Sequence, residues 1–330
     1  MPAPRPKKEN PWVILAWTLN IAGLGGLAVI LVAYWALQPV FAAPQEGADT
    51  NPLPMTMPPT FTQDPFSAFL PTITPNPRAT LIVAQTPTPF VIKNLGAGTA
   101  RVTVIGYSVS GRPIEVYTFG NGERQKMIVA GIHGGYEWNT IALADELIQH
   151  IFDNPDIIPS DVTLFILRNL NPDGDARAHN VDGRVNDHGV DLNRNFPSNW
   201  AATWDRDGCW NYRPTTGGAR PGSEPETRAL MYFLQSQRVE TLISYHSAAL
   251  GVFPGGEPWE ENSIEFAQAL AKATSYRFPP IDTGCIYTGT LADYAVEMGA
   301  TAVDMELSTH RYTDFEQNLK ALEVLLNWRK

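Results

Sequence analysis

Cysteine is nearly absent: Cys209 and Cys285 are the only two in 330 residues. That excludes a disulfide-built scaffold, and the pair is not spaced as a local metal site. One disulfide between them and two unpaired buried thiols both remain open. Positive charge is also short, 24 Lys and Arg against 34 Asp and Glu, for a net charge of -10. A nucleic-acid partner needs a basic surface, so that class is excluded. No internal repeat is present. Charge is missing altogether from one stretch, Trp12 to Leu37, where only Thr18 and Asn20 break an apolar run.

That run is long enough to cross a hydrocarbon core of ~30 Å. Arg5, Lys7 and Lys8 precede it and no basic residue follows closely, which predicts an inside N-terminus and an outside remainder. The run therefore reads as a single transmembrane anchor over residues 12–37, after a basic segment 1–11. A cleaved signal peptide, cut near Val40-Phe41-Ala42-Ala43, is the competing reading. Either one places the rest of the chain outside the cell membrane, anchored or secreted. Residues 38–90 are rich in Pro and Thr, as in Thr86-Pro87-Thr88-Pro89. Proline fixes φ and removes backbone donors, so this segment is expected to be an extended stalk.

The folded domain is expected over residues 91–330. Apolar strands are predicted at 126–132, 162–167, 241–245 and 302–305. Helices are predicted at 137–151, 263–273, 291–298 and 313–328, with another opening at Ser223 under a capping box closed by Glu226. Alternating strands and helices predict an α/β domain around a largely parallel sheet. In such sheets sites lie at the carboxyl ends of the strands.

Candidate chemistry falls at those ends. His133 follows the strand Met127–Ile132, Glu137 stands four residues on, and His246 follows Leu242–Tyr245. Two imidazoles and one carboxylate leave an open position on a tetrahedral zinc, the arrangement of a hydrolytic site. Glu306, at the end of the strand Thr301–Met305, is placed to be the general base. Asp304 lies two residues earlier and so points the same way. It is expected at a pocket floor, favouring a basic or amide group.

These residues, with Gly111-Arg112-Pro113-Ile114, Asn171-Pro172-Asp173-Gly174, Gly189 to Pro197, Ser223 to Thr227 and Glu306-Leu307, resemble the zinc carboxypeptidase family. The likeness covers most of residues 100–328. It implies a mixed, mostly parallel eight-stranded sheet between helices, and one zinc ion per chain held by His133, Glu137 and His246. It further implies that Arg184 polarises the scissile carbonyl beside the metal. Asn193 and Arg194 hold the substrate's terminal carboxylate, Tyr287 closes over it, and Glu306 is the general base and acid. Three residues separate His133 from Glu137 where the family usually has two, the extra one lying in a Gly-Gly pair able to bulge. Tyr136 stands where digestive members often carry Arg, so one anion contact is absent. His150, His179, His188 and His310 are expected to be solvated or structural.

The expected activity is hydrolysis of C-terminal peptide bonds of extracellular peptides. Trimming of cell-wall peptides at a γ-D-glutamyl–diamino acid bond is the alternative within the same chemistry. A related deacylase and a zinc-free binding module on a stalk are the other classes. Glu306 argues against the last, since a pure binder has no need of a general base.

Overall fold

The computed structural model describes residues 92–94, 100–205, 209–210 and 212–329. The expected transmembrane anchor, 12–37, and the stalk, 38–90, lie outside the described residues. Among the described residues no helix is long and apolar enough to cross a membrane.

Eight strands form one sheet: β1 (Ile92–Asn94), β2 (Ala100–Tyr107), β3 (Pro113–Gly120), β4 (Arg124–Val129), β5 (Val162–Leu167), β6 (Val239–Ser247), β7 (Val252–Pro254) and β8 (Thr301–Leu307), in the order β1-β2-β3-β5-β4-β6-β8-β7. The longer helices are α1 (Trp138–Asp153), α2 (Pro172–Arg177), α3 (Pro225–Ser236), α4 (Glu261–Ala273), α5 (Leu291–Glu297) and α6 (Phe315–Asn327).

The expectation of a mostly parallel sheet needs correction. Only the β5-β4-β6-β8 centre is parallel. The β1-β2, β2-β3, β3-β5 and β7-β8 pairings are antiparallel. Parallel pairing needs a crossover connection, and the described residues show none between β2 and β3. The turn Ser108–Arg112 instead joins β2 to β3 as a hairpin, closed by Gly111 N–H to Ser108 O at 2.9 Å.

The central strands read as continuous apolar runs because both faces are covered. Ile128 on β4 and Ala130 just beyond it join one core with α1, α4 and α6. Met127 and Val129 join a second core with α3 and α5 on the other face. The sheet is thus held rigid between two helical layers, and its carboxyl edge becomes a fixed platform.

The capping box also needs correction. Helix α3 has Glu224, not Ser223, at its N-cap, without a side-chain cap bond. Proline at the first position needs no N–H partner there. Glu226 instead accepts from Val109 N–H at 3.0 Å and from Asn186 Nδ2 at 3.1 Å. It ties the β2–β3 hairpin to the loop that precedes the site.

Cys209 and Cys285 form a disulfide, with Cα atoms 5.4 Å apart and a sequence separation of 76. Closing so long a loop restricts the unfolded chain, an effect of typically about 2–4 kcal/mol. Replacing both cysteines with serine is therefore expected to lower unfolding free energy by about that amount. Denaturant titration checks it. A reductant should lower the wild-type midpoint and leave the double variant unmoved; an unchanged wild-type midpoint would refute the claim.

Candidate metal centre and active site

The carboxyl ends of β4, β6 and β8 converge. His246 and Glu306 are register partners on β6 and β8. His133 lies four residues beyond the end of β4. Glu137 is carried to it by a 3-10 turn, Gly134–Glu137, which takes up the extra residue between the two ligands. That turn requires glycine. Gly134 has φ +45°, and a Cβ there would lie 2.8 Å from Gly183 O. A Cβ on Gly135 would lie 2.1 Å from Ala178 O. The result is His133 Nδ1 at 2.9 Å from Glu137 Oε1.

His133, Glu137 and His246 are all buried, and they offer ligand atoms within 4.8 Å of one another. His133 Nδ1 and His246 Nδ1 are 3.2 Å apart. His246 Nδ1 is 3.3 Å from Glu137 Oε2. Two nitrogens at ~2.05 Å from a tetrahedral zinc lie about 3.3–3.4 Å apart, so the spacing fits.

Proton placement supports the same conclusion. His133 Nε2 faces Asp191 Oδ1 at 3.2 Å, and His246 Nε2 faces Ser244 Oγ at 3.0 Å. A neutral imidazole carries one N–H. If each Nε2 holds it, both Nδ1 atoms present lone pairs to a carboxylate. Three acceptors then converge on one point, which is a cation site. Glu137 Oε2, moreover, is buried without a well-formed hydrogen bond.

Glu306 Oε2 and Arg194 Nε are buried beside this centre and also lack hydrogen-bond partners. Orphaned polar atoms gathered in one place are rare in a structural core. In the metal-free protein, burial, and then the negative charge of Glu137, push the Glu306 carboxyl up to about 8. A bound cation opposes that push.

Arg184 is anchored by Asp191: its Nε and a terminal nitrogen both stand 2.9 Å from Asp191 Oδ2. Another terminal nitrogen lies 3.6 Å from Glu137 Oε1, so the guanidinium edges the metal site. Its face covers the Trp210 ring at 4.5 Å. Burial alone would raise Asp191, but Arg184 and His133 outweigh it and hold the carboxyl well below its usual range. Asp191 is therefore a shared hinge for ligand and arginine. Sequence reading passed over it, although its place two residues before Asn193 was a usable signal.

Asn193 and Arg194 lie on the 3-10 turn Leu192–Arg194, which Asp191 caps. Both are buried. Arg194 donates to Asn193 O at 2.7 Å, and its guanidinium lies 5.1 Å from the Tyr287 ring centroid. Tyr287, half-buried, donates to or accepts from Thr283 Oγ1 at 2.7 Å. The structure thus brings every expected site residue to one edge of the sheet. It also adds Tyr136, whose ring packs on Trp210 at 5.7 Å and on His310 at 4.7 Å. His310 borders the site through Ser247 Oγ at 2.9 Å from its Nδ1. His179 and His188 instead pair with Asp175 and Glu224.

One edge of the α/β sheet thus bears a His–Glu–His cluster fit for a cation, an adjacent carboxyl and two buried arginines. Residues 93–321 match the zinc carboxypeptidase family, and the chain belongs to that family.

Among relatives, murein peptide amidase A of Escherichia coli (strain K12) is 31% identical over 152 residues, covering 43% of this chain and 57% of that protein. Gamma-D-glutamyl-L-diamino acid endopeptidase 1 of Lysinibacillus sphaericus is 24% identical over 223 residues, covering 57% of this chain and 55% of its own length. The chain therefore spans a little over half the length of these relatives. The structure of carboxypeptidase A from Helicoverpa armigera is similar in fold, with a TM-score of 0.55 at 20% identity, over 68% of this chain and 66% of that one.

Proposed function

We propose that this protein is a zinc-dependent carboxypeptidase that hydrolyses the amide bond to a residue carrying a free terminal carboxylate. The observation that supports the reading is one edge of the sheet holding both three clustered metal-ligand side chains and a buried arginine with an unpaired Nε. A buried guanidinium without a full set of partners is costly unless an anion completes it.

His133, Glu137 and His246 would hold zinc, which when bound would supply a Lewis acid for a carbonyl and lower the pKa of water. Arg194 and Asn193 bind the substrate carboxylate and fix its position relative to the metal. Tyr287 closes the opening above Arg194. Arg184, held by Asp191, steadies negative charge developing on the carbonyl oxygen. Glu306 takes a proton from water and delivers it to the departing amine.

We further propose that the chain acts outside the cell, with residues 12–37 as its membrane anchor. A disulfide suits an oxidising compartment. Protease added to intact cells is expected to cut the stalk; complete protection would reverse the orientation.

A second reading, cleavage of a cell-wall peptide at a γ-D-glutamyl–diamino acid bond, is favoured by the two bacterial relatives. It uses the same machinery on a different acyl side. The deciding experiment is a panel of ordinary peptides and γ-D-glutamyl–diamino acid peptides, each with a free or amidated terminus. The carboxypeptidase reading expects free termini to be cleaved far faster. Equal cleavage of amidated peptides would remove it, and preference for the γ-linked substrates would select the second reading.

Arg194→Met sharpens the test. Losing a hydrogen bond to a charged group costs about 1.5–3 kcal/mol, or about 10–150-fold in kcat/KM. That loss is expected only on free-carboxylate substrates and chiefly in KM. An equal loss on amidated substrates would assign Arg194 a structural role.

A further inference from the structure

The faces of His133 and His246 turned away from the metal are held by different groups. His133 Nε2 meets Asp191. His246 Nε2 meets Ser244 Oγ at 3.0 Å and stands 3.4 Å from both Asn193 Nδ2 and Asp304 Oδ1, the latter a buried oxygen without a well-formed hydrogen bond of its own. Asp304 sits on β8 two residues before Glu306, with its side chain 16% exposed. The expectation that it lines a pocket floor for a basic group does not describe its contacts: the carboxyl turns to His246 and Asn193. Its second oxygen, Oδ2, is 3.5 Å from Asn193 Nδ2.

The orientation of the Asn193 amide is fixed independently. Its Oδ1 accepts from Leu291 N–H at 2.8 Å. The Nδ2 group therefore faces Asp304 Oδ2 and His246 Nε2. His246 is constrained in the same way: with Nδ1 directed at the metal position, Nε2 carries the proton and needs an acceptor. A neutral hydroxyl at Ser244 is one acceptor; the carboxylate is the charged one.

We propose that Asp304 is a positioning residue that couples zinc to the substrate clamp. One oxygen accepts from His246 Nε2–H and aims the Nδ1 lone pair at the metal. The other accepts from Asn193 Nδ2–H and holds that amide where the substrate carboxylate arrives. A single carboxylate thereby sets both the metal ligand and the anion binder, so the distance between hydrolytic centre and carboxylate clamp is fixed through β8. The proposal rests on the zinc-and-clamp reading above, but its metal arm is measured without any substrate.

The full-length protein and its Asp304→Ala and Asp304→Asn variants are loaded with zinc. Zinc per chain is then followed against a graded chelator, and the visible spectrum is recorded after cobalt substitution. KM and kcat are measured on free and amidated peptides. Asp304→Ala is expected to bind zinc about 10–100-fold more weakly, the usual effect of removing an outer partner of a metal ligand. Its cobalt spectrum should shift and its KM on free-carboxylate peptides should rise. Asp304→Asn separates the arms. Its carbonyl oxygen still accepts from His246, so zinc affinity is expected within about threefold of wild type. Its NH2 then confronts the Asn193 NH2, so KM stays raised. Should Asp304→Ala not fold, the split in Asp304→Asn still decides the matter. Wild-type zinc retention in Asp304→Ala, or wild-type KM in Asp304→Asn, overturns the proposal. A changed preference for basic terminal residues with both arms intact overturns it too, and returns Asp304 to reading the substrate side chain. If no peptide is cleaved at all, the zinc measurements still test Asp304, and only the carboxypeptidase reading falls.

Discussion

Glu306→Gln is expected to lower kcat/KM by about 10²–10⁴-fold, or about 2.7–5.5 kcal/mol of barrier, while zinc content stays at the wild-type level. Glutamine keeps the shape and the strand pairing with His246 but cannot take a proton. Zinc content should hold because Glu306 is not one of the three clustered donors. The pH profile carries the second half of the prediction. Burial and the Glu137 charge raise the Glu306 carboxyl to about 8 without metal. A group that acts as base is silent below its pKa and active above it. With zinc bound, the cation opposes the Glu137 charge, so the acid limb of kcat/KM should fall below 8. That limb should vanish in Glu306→Gln. Linkage gives the same group an independent readout in the metal-free protein. A carboxyl raised on folding holds protons that the unfolded chain has released, so stability falls as pH rises from ~4.3 toward the folded value. Metal-free Glu306→Gln should therefore unfold later than metal-free wild type above about pH 8. A variant that retains more than about a tenth of wild-type activity, with its acid limb intact, would show that another group is the base.

The parts of the fold read from sequence were those with unbroken apolar runs. The apolar runs place the strand at 162–167 to the residue and fall four residues short of β6 and three short of β8. Such strands are buried on both faces and announce themselves by composition. The β2–β3 hairpin was missed because its strands carry a mixed pattern of buried and half-exposed positions. Without it, the parallel share of the sheet was overestimated. In the site, His133, His246 and Glu306 were legible because each follows or ends an apolar strand. Glu137 was legible despite the added residue, since only glycine fits the tight turn that carries it. The supporting groups were harder. Asp191 serves His133, Arg184 and the Asn193 backbone at once, and no local pattern shows that a side chain is shared. Asp304 was assigned the correct face by strand alternation, but alternation says nothing of what a side chain touches.

His133→Ala is expected to leave less than about a tenth of a zinc ion per chain and to abolish hydrolysis at micromolar metal, since two donors no longer form a hydrolytic set. The physical reason lies in how few contacts the centre has. His133 Nδ1 stands 2.9 Å from Glu137 Oε1 and 3.2 Å from His246 Nδ1, so removing it opens one whole side of the cluster. Only His246 and Glu137 then remain, 3.3 Å apart, and they can satisfy each other as an ion pair. That pairing competes with metal, because a protonated imidazole has no lone pair to give. Thermal unfolding separates loss of metal from loss of fold. A ligand that binds only the folded state stabilises it by about 4 kcal/mol at 1,000 times its Kd. Chelator should therefore lower the wild-type Tm by several degrees, and added zinc should restore it. His133→Ala should resemble chelated wild type and respond to neither reagent. A variant that unfolds far below chelated wild type would have lost packing as well. One that still holds stoichiometric zinc, with a chelator-sensitive Tm, would place the ion on other donors and remove the basis for every role assigned at this edge of the sheet.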